Sequence, residues 1–349
     1  MKKKDILNLI RYHAENDEEG FKKQAELIAS EFYQDGDEEL ALYIKNLISP
    51  ISTIVPQGTD EKPRIGFLEK VEYVNEPYII PDKLKEELIG IVNASKKNIG
   101  LNKYIFYGEP GTGKTQAAYQ ISRLLKRNLW QVNISQLIDS LLGKTSKNIN
   151  QLFEDINEYP FKKTMIVLFD EIDSLALNRN DSRDLREMSR ATTELFKGLD
   201  SLSKEVILIA TTNLFQLLDK ALIRRFAAKI DFDVYEKQDL IDVGMYYYKF
   251  YCDKVGMANT YGKIINKLLL ACPKLPNPGE LRNIFLTSLA FSNNENPNEH
   301  IQRLFREFFK DNTYINNISW LQETIGLTTR EIELVTGISK SEVSRRLQK

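Results

Sequence analysis

The residues GEPGTGKT at 108–115 constrain this chain more than any other stretch. They follow an apolar run, YIFY, and precede TQAAYQISRLL, whose apolar positions have helical spacing. Glycine has no side chain, so successive backbone N–H groups can turn inward onto an anion at a helix N-terminus. The pattern G-x-x-x-x-G-K-[ST] is complete here and predicts a phosphate-binding loop between a strand and a helix.

In such a loop the lysine and the hydroxyl residue that follows it have separate roles. Lys114 is expected to bridge the β- and γ-phosphates of ATP, and the Thr115 hydroxyl is expected to be a ligand of Mg²⁺. The predicted nucleotide-binding residues are Glu109, Pro110, Gly111, Thr112, Gly113, Lys114, Thr115 and Gln116.

Composition narrows the class of protein. The 349 residues are 42% hydrophobic and 28% charged, which is typical of a globular protein of about two domains. The net charge of −1 provides no global attraction to nucleic acid or membranes, and no stretch is apolar enough to span a bilayer. Two cysteines and two histidines disfavour disulfides, zinc sites and histidine triads, so we expect a cytoplasmic location.

Apolar runs alternate with helical patterns from about residue 65 to residue 232. Runs that are apolar on both faces are typical of strands in a parallel sheet covered by helices. We therefore predict an α/β fold, with a parallel-sheet P-loop core, a helical lid, a helical N-terminal module and a helical C-terminal tail. The predicted strands lie in KYIFYG, LWQVNI, TMIVLFD, VILIATTN and AAKIDFD.

Breaks in these patterns predict the domain boundaries. Prolines and glycine in PISTIVPQGTDEKPR indicate a linker, and SNNENPNEH indicates a second break. The predicted organisation is an N-terminal module at 1–49, a linker at 50–74, an ATPase core at 75–235, a lid at 236–292 and a tail at 293–349.

Polar residues end two of the predicted strands. TMIVLFD is followed by Glu171, and VILIATT is followed by Asn213. The carboxyl ends of parallel strands share one edge of a sheet, so Asp170 should lie beside Thr115 and help to hold Mg²⁺. Glu171 is then placed to deprotonate a water that attacks the γ-phosphate, and Asn213 to fix that water or a γ-oxygen.

Arg224 and Arg225 lie together in LDKALIRRF. Phosphoryl transfer spreads charge over the γ-oxygens, and a guanidinium supplied by a neighbouring molecule can neutralise that charge. Both arginines are therefore candidate catalytic residues.

Together, GEPGTGKT, LFDEIDSLALNR, IATTN, LDKALIRRF and NPGELRN resemble the AAA+ superfamily of ring-forming ATPases, over roughly residues 75 to 292. Within this superfamily the chain resembles the AAA clade, and in particular a bacterial type of protein that carries a helical N-terminal module. It implies that Asp170 and Glu171 form Walker B, that Asn213 is sensor 1 and that Arg224 and Arg225 are arginine fingers. It also implies a homo-oligomer, most often a hexameric ring, and a sensor 2 arginine at Arg282.

The segment SQLIDSLLGKTSKNINQLFEDI resembles the family's pore-loop segment. Family members usually carry an aromatic residue that grips a threaded polypeptide, whereas this chain has Leu141-Leu142-Gly143. Leucine offers less contact area than an aromatic ring, which weakens the case for processive threading.

The C-terminal residues TTREIELVTGISKSEVSRRLQK are typical of a helix-turn-helix. Gly337 suits the turn and Ser339 suits the N-cap of the second helix. Lys340, Arg345, Arg346 and Lys349 would face outward, although Glu333 stands where such motifs usually have a small residue. Residues 328–349 are therefore expected either to bind DNA or to dock on protein.

Two functions remain open at this point. The first is an ATPase that remodels or unfolds a protein substrate, any proteolysis requiring a separate partner such as a protease. The alternative is a nucleic-acid-associated ATPase switch, such as a loader or a transposition or defence regulator, that binds DNA through the C-terminal tail.

Overall fold

A computed structural model of the chain shows one mixed sheet with helices on both of its faces. The structure describes residues 3–15, 17–35, 37–48, 64–72, 78–97, 99–138, 144–176, 184–257, 260–293, 296, 298–310, 314 and 317–348. The strands are β1 (Arg64–Ile65), β2 (Leu68–Lys70), β3 (Lys103–Tyr107), β4 (Asn128–Val132), β5 (Met165–Phe169), β6 (Ile207–Thr212) and β7 (Ala228–Asp231).

Helices precede, alternate with and follow these strands. Up to β7 they are α1 (Lys3–Ala14), α2 (Glu18–Gln34), α3 (Glu38–Ile48), α4 (Asp82–Lys97), α5 (Lys114–Leu125), α6 (Ile134–Leu137), α7 (Lys144–Glu158), α8 (Asp173–Ala176), α9 (Asp184–Ser201) and α10 (Lys220–Ile223). After β7 they are α11 (Lys237–Lys254), α12 (Gly262–Ala271), α13 (Pro278–Ala290), α14 (Glu299–Phe308), α15 (Ile318–Glu323), α16 (Thr329–Thr336) and α17 (Lys340–Leu347).

The strand order is β1-β2-β4-β5-β6-β3-β7. Strands β3 to β7 run parallel, which confirms the predicted α/β fold with a parallel sheet. The register places Phe169 opposite Ala210 and Tyr107 opposite Thr212, so neighbouring strands end at nearly the same level. Residues that follow these strands therefore gather at one edge.

Both faces of the parallel sheet are buried. Val167 and Phe169 of β5 lie on the face covered by α7 and α9. Ile166 and Leu168 lie on the opposite face, against α4 and α5. Because successive side chains of a strand point to opposite faces, this two-sided burial explains the unbroken apolar runs.

Residues 64–70 fall in the segment predicted to be a linker, yet they form β1 and β2. The two strands are antiparallel, and β2 extends the sheet by pairing with β4. Leu68 is fully buried beneath this edge. Short strands at the end of a sheet are held by backbone hydrogen bonds and need no long apolar run. The composition of residues 64–70 therefore gave no sign of β1 and β2.

The N-terminal helices dock on the sheet domain through a few side chains. Tyr33 of α2 stacks on Phe161 with 4.2 Å between ring centroids. Lys45 of α3 donates to the carbonyl oxygen of Pro160 at 2.7 Å. The predicted N-terminal module is thus helical and contacts the core beside β5.

The helices after β7 share one apolar core. Leu281 and Phe285 of α13 belong to the same buried cluster as Phe305 of α14 and Val335 of α16. The predicted lid and the predicted tail therefore pack together as a single helical body. The thiols of Cys252 and Cys272 are free and buried in it.

Among the residues that the structure describes, no helix combines the length and apolar character needed to cross a membrane.

Two glycines in helices provide a matched test of the packing of α9 against α7. An added Cβ at Gly198 of α9 would lie 2.0 Å from the buried Phe153 ring of α7, whereas at Gly90 of α4 it would meet nothing within 4 Å. We expect Gly198→Ala to lower the free energy of unfolding by about 1–3 kcal/mol through overpacking. Gly90→Ala should instead raise it by roughly 0.5–1 kcal/mol through helix propensity.

Chemical denaturation of the two variants and the parent chain measures both effects. Equal changes for the two substitutions would contradict the close packing of α7 on α9.

Candidate functional site

A cavity of about 360 Å³ opens at the carboxyl edge of the parallel sheet. The loop after β3, the ends of β5 and β6, and the lid helix α13 form its walls. The predicted site residues that line it are Pro110, Gly111, Thr112, Gly113, Lys114, Thr115, Gln116, Asp170, Glu171, Asn213 and Arg282. Glu109, Arg224 and Arg225 do not line it.

The loop places the Lys114 ammonium beneath its own backbone. Lys114 is only 7% exposed, and its Nζ donates to the carbonyl oxygens of Gly108 and Glu109 at 2.7 Å each. Burial lowers the pKa of Lys114, while the carboxylates of Asp233 and Asp170 act in the opposite direction. The cation is therefore held inside the loop, next to the cavity.

Gly113 makes the strand-to-helix turn possible. It is the N-cap of α5 with φ 94°, a left-handed conformation that glycine adopts without steric cost. A Cβ at this position would also lie 3.0 Å from the ring of Tyr78. Both constraints explain why a bare backbone is needed here.

The Asp170 carboxylate joins the loop to the sheet. Its Oδ1 accepts hydrogen bonds from the Thr115 hydroxyl at 2.8 Å and from the Thr211 hydroxyl at 2.6 Å. Thr211 Oγ1 in turn accepts the backbone N–H of Glu171 at 2.9 Å. We call Thr115, Asp170 and Thr211 the hydroxyl–carboxylate node.

Glu171 has an unusual backbone. Its φ is 56°, and apart from Lys126 it is the only non-glycine residue with positive φ among those that the structure describes. Such a conformation costs about 1–3 kcal/mol and persists only where neighbours impose it. The hydrogen bond to Thr211 is one such constraint, and it leaves the Glu171 side chain exposed at the cavity.

Asn213 and Arg282 approach the cavity from different sides. Asn213 follows β6 directly, at the same sheet edge as Asp170. Arg282 comes from α13, whose N-terminus is capped by the Asn277 side chain. The structure therefore brings a residue of the sheet and a residue of the lid to one site.

The lid touches the loop directly. The backbone N–H of Gly279 donates to the carbonyl oxygen of Gly111 at 2.8 Å. A Cβ at Gly279 would lie 2.9 Å from the Gly111 Cα, so the approach requires glycine. This contact joins the lid to the loop at the wall of the cavity.

Tyrosines that the sequence analysis did not single out also hold the loop. The hydroxyl of Tyr78 donates to the Gly113 carbonyl at 3.3 Å, and that of Tyr235 donates to the Thr112 carbonyl at 3.1 Å. Burial raises the pKa of both hydroxyls, so both remain protonated donors. Tyr119 and Tyr247 line the same cavity, which gives it an aromatic wall.

Asp233 is a second residue that the motifs did not reveal. Its Oδ1 accepts the backbone N–H of Glu109 at 2.6 Å. The amide of Glu109, predicted to contact a phosphate, is thus already bound to an anion in this structure. A loop N–H that donates a hydrogen bond to a carboxylate oxygen can donate in the same way to a phosphate oxygen.

The two adjacent arginines differ in their surroundings. Arg225 forms a bidentate ion pair with Asp200 of α9, with its Nη2 at 2.9 Å and its Nε at 3.0 Å from the carboxylate oxygens. It also donates to the Ala221 carbonyl and lies over the Phe196 ring. Arg224 is exposed, and no ion pair to it is found among the described residues. Arg224 is therefore the arginine that is free to reach another molecule.

The Leu141-Leu142-Gly143 segment lies outside the described residues. Its predicted role in gripping a polypeptide stays a prediction.

The cavity fits a Mg²⁺-bound nucleotide. Among the described residues, no group of three or more histidine, cysteine, aspartate or glutamate side chains is arranged to hold a metal by itself. Mg²⁺ is usually bound by one or two protein oxygens together with substrate phosphates, and Thr115 and Asp170 offer such oxygens beside Lys114. The Gln116 Nε2 is buried without a hydrogen-bond partner in the described part of the chain and borders the same space.

Comparison with protein families finds a match to the part of the chain that contains this site. Residues 104–234 match the model of the ATPase family associated with various cellular activities (AAA). The AAA family ATPase y4kL of Sinorhizobium fredii is 38% identical over 132 residues, which are 38% of this chain and 39% of that protein.

Two eukaryotic relatives show a similar partial match. The vacuolar protein sorting-associated protein 4 of Dictyostelium discoideum is 30% identical over 176 residues, 50% of this chain and 37% of that protein. The peroxisomal ATPase PEX6 of Saccharomyces cerevisiae is 35% identical over 133 residues, 37% of this chain and 12% of that protein. This chain spans at most about two fifths of the length of these curated relatives.

A solved structure shares the fold. A chain of the E. coli MS115-1 HORMA:CdnC:Trip13 complex superimposes with a TM-score of 0.52 at 19% identity. The match covers 70% of this chain and 97% of that chain. At this identity the similarity concerns the fold alone.

Thr211→Val tests the hydroxyl–carboxylate node. The substitution keeps the approximate shape of a side chain that is 1% exposed, but it leaves the Glu171 N–H without its acceptor and removes one of the two donors to Asp170 Oδ1. We expect the free energy of unfolding to fall by about 1–3 kcal/mol. Thr287→Val is the control, because the exposed Thr287 hydroxyl bonds only to carbonyls of its own helix, and its effect should stay within about 0.5 kcal/mol.

Denaturant unfolding of both variants measures the difference. An unchanged midpoint for Thr211→Val would show that the node contributes nothing to stability.

Proposed function

We propose that this chain binds ATP with Mg²⁺ in the cavity and hydrolyses it, because residues 104–234 match the model of the AAA family of ATPases. The observation that carries the proposal is the 2.8 Å hydrogen bond from Thr115 to Asp170. It unites the phosphate-binding loop and the end of β5 in one site. The similarity to y4kL and to PEX6, both named as ATPases, supports the same activity.

Each residue has a defined task in this proposal. The amides of the loop and Lys114 bind the phosphates, and Thr115 and Asp170 would hold Mg²⁺, which neutralises phosphate charge when bound. Glu171 lies exposed at the cavity and accepts the proton of the attacking water. Asn213 orients that water, and Arg282 approaches the γ-phosphate from the lid.

The substrate class is proposed by analogy with the relatives. We propose that ATP hydrolysis drives the remodelling of a protein, since a vacuolar protein sorting-associated protein is among the relatives. The N-terminal helices, whose Leu7 and Ile10 are largely exposed, are a candidate site for recognising that protein or a partner. Cys252 and Cys272, both free thiols, fit a cytoplasmic location.

The position of Arg224 supports an oligomer. Arg224 is exposed and does not line the cavity of its own chain, so it is available to the cavity of a neighbour. We propose a homo-oligomeric ring in which Arg224 completes the adjacent site. Arg225 holds α10 against Asp200 and positions Arg224.

A nucleic-acid-associated ATPase switch is the second candidate function. It is favoured by the helix-turn-helix that α16 and α17 form around Gly337. The two functions are distinguished by the ATPase rate measured with an unfolded protein and with duplex DNA. Stimulation by DNA alone, lost when residues 328–349 are deleted, would favour the second.

Two single substitutions separate binding from hydrolysis. Lys114→Ala should weaken ATP binding at least about tenfold, since it removes a charged donor, whereas the exposed Lys85→Ala should not. Glu171→Gln should bind ATP but lose roughly 10²–10⁴-fold in turnover, because the amide accepts no proton. Titration with fluorescent ATP and phosphate release measure the two effects.

Unchanged affinity in Lys114→Ala would refute the loop assignment. Brisk turnover in Glu171→Gln would remove the glutamate from its catalytic role and leave the binding site intact.

Mixing two inactive variants tests the shared site. Arg224→Ala should lower phosphate release by about 10³-fold or more and Glu171→Gln by roughly 10²–10⁴-fold, and their mixture should recover part of the activity. Recovery is expected because some interfaces then combine an intact glutamate with an intact arginine. Lys220→Ala, at a nearby exposed cation on α10, is the control and should remain active.

Arg225→Ala should differ from Arg224→Ala by lowering the melting temperature as well, because it breaks the pair with Asp200. Absence of rescue in mixtures that co-assemble would contradict action between neighbours.

A further inference from the structure

The two C-terminal helices α16 and α17 form a helix-turn-helix. A three-residue turn, Gly337-Ile338-Ser339, joins them, and Gly337 has φ 77°. Thr328 and Glu331 form a capping box at the start of α16, and the Ser339 side chain caps α17. The unit thus has sharply defined helix ends on both sides of the turn, as this motif requires.

The apolar side of the helix-turn-helix is buried inside the protein. Ile332 and Val335 of α16 and Val343 of α17 are at most 1% exposed. They belong to the same cluster as Leu304 and Phe305 of α14. The opposite side of α17 is left at the surface.

Glu333 of α16 has a structural role, so it does not count as part of the exposed surface of α17. Its carboxylate accepts the backbone N–H of Lys340 at 3.0 Å, at the first residue of α17. A carboxylate at a helix N-terminus satisfies an unpaired donor and complements the helix dipole. This explains why an acidic residue occupies a position where such motifs usually have a small one.

The surface of α17 is basic and hydrophilic. Lys340, Ser341, Arg345 and Arg346 are all exposed. Glu342 is the only acidic residue of α17, and it accepts hydrogen bonds from Arg345 and from Arg346. Ion pairs between exposed residues of one helix are weak and screened by salt, so they yield readily to a phosphate.

We propose that this helix-turn-helix binds duplex DNA, with α17 in the major groove and Lys340, Arg345 and Arg346 on phosphates and base edges. Guanidinium groups bind phosphate and guanine in bidentate geometry, and an α-helix fits the major groove of B-form DNA. The deep and narrow major groove of an RNA duplex does not admit side chains in this way.

The composition of α17 argues against a protein partner for the same surface. Protein interfaces centre on buried aromatic or aliphatic anchors, and charged residues are depleted there. The exposed residues of α17 include no aromatic or aliphatic side chain, and Leu347 packs against the helical core.

Binding of the full-length chain to a fluorescent 30-base-pair duplex, followed by anisotropy without nucleotide, tests the proposal (about three helical turns, so that a major groove is always accessible). With at most three phosphate contacts per chain, affinity should fall by up to about 40-fold between roughly 50 and 200 mM salt. Arg345→Ala/Arg346→Ala should abolish most binding and reduce the salt dependence. Lys96→Ala/Lys97→Ala, which removes two exposed cations from α4, should bind as the parent does.

Glu342→Gln is the sharpest variant. It releases both arginines from their intrahelical pairs and removes one negative charge, so DNA binding should tighten by several-fold. Circular dichroism and melting temperature identify any variant that fails to fold. A variant with altered binding and unchanged melting temperature reports on the surface alone.

Three results would overturn the proposal: no binding to duplex at low salt, equal binding by the double arginine variant, or weaker binding by a folded Glu342→Gln variant. Capture of a protein through α17 without affinity for the duplex would overturn it as well. Because the assay contains no ATP and measures no turnover, its outcome is independent of the proposed ATPase activity.

Discussion

The site depends on one carboxylate shared by two hydroxyl groups. Asp170 accepts from Thr115 and from Thr211, so the start of α5, the end of β5 and the end of β6 are fixed relative to one another. Both donors reach the same oxygen of this partly buried carboxylate. The phosphate-binding loop, the exposed Glu171 and the cavity beneath the lid all take their positions from this arrangement.

Much of the fold could be predicted because its strongest signals are local. The strands β5 and β6 are buried on both faces and appear as unbroken apolar runs, and the loop between β3 and α5 has an unmistakable glycine pattern. The expectation that Asp170 lies beside Thr115 needed only the rule that parallel strands end at one edge. The structure places their oxygens 2.8 Å apart, while the catalytic roles assigned to these residues remain proposals.

Other features could not be read from the sequence because they depend on distant partners. The different surroundings of Arg224 and Arg225 arise from Asp200, which lies 25 residues away from Arg225. Tyr78 and Tyr235 act on loop carbonyls through contacts that no spacing rule encodes. β1 and β2 are short strands at one end of the sheet, held by backbone pairing, and their composition matches that of a linker.

The contact between Gly279 and Gly111 has a mechanical consequence. Gly279 is the second residue of the helix α13, and the apolar side chains of α13 share a core with α16 and α17. The Gly111 carbonyl that accepts its N–H belongs to the loop that lines the cavity, so the C-terminal helices are linked to the phosphate-binding loop through packed helices and one backbone hydrogen bond.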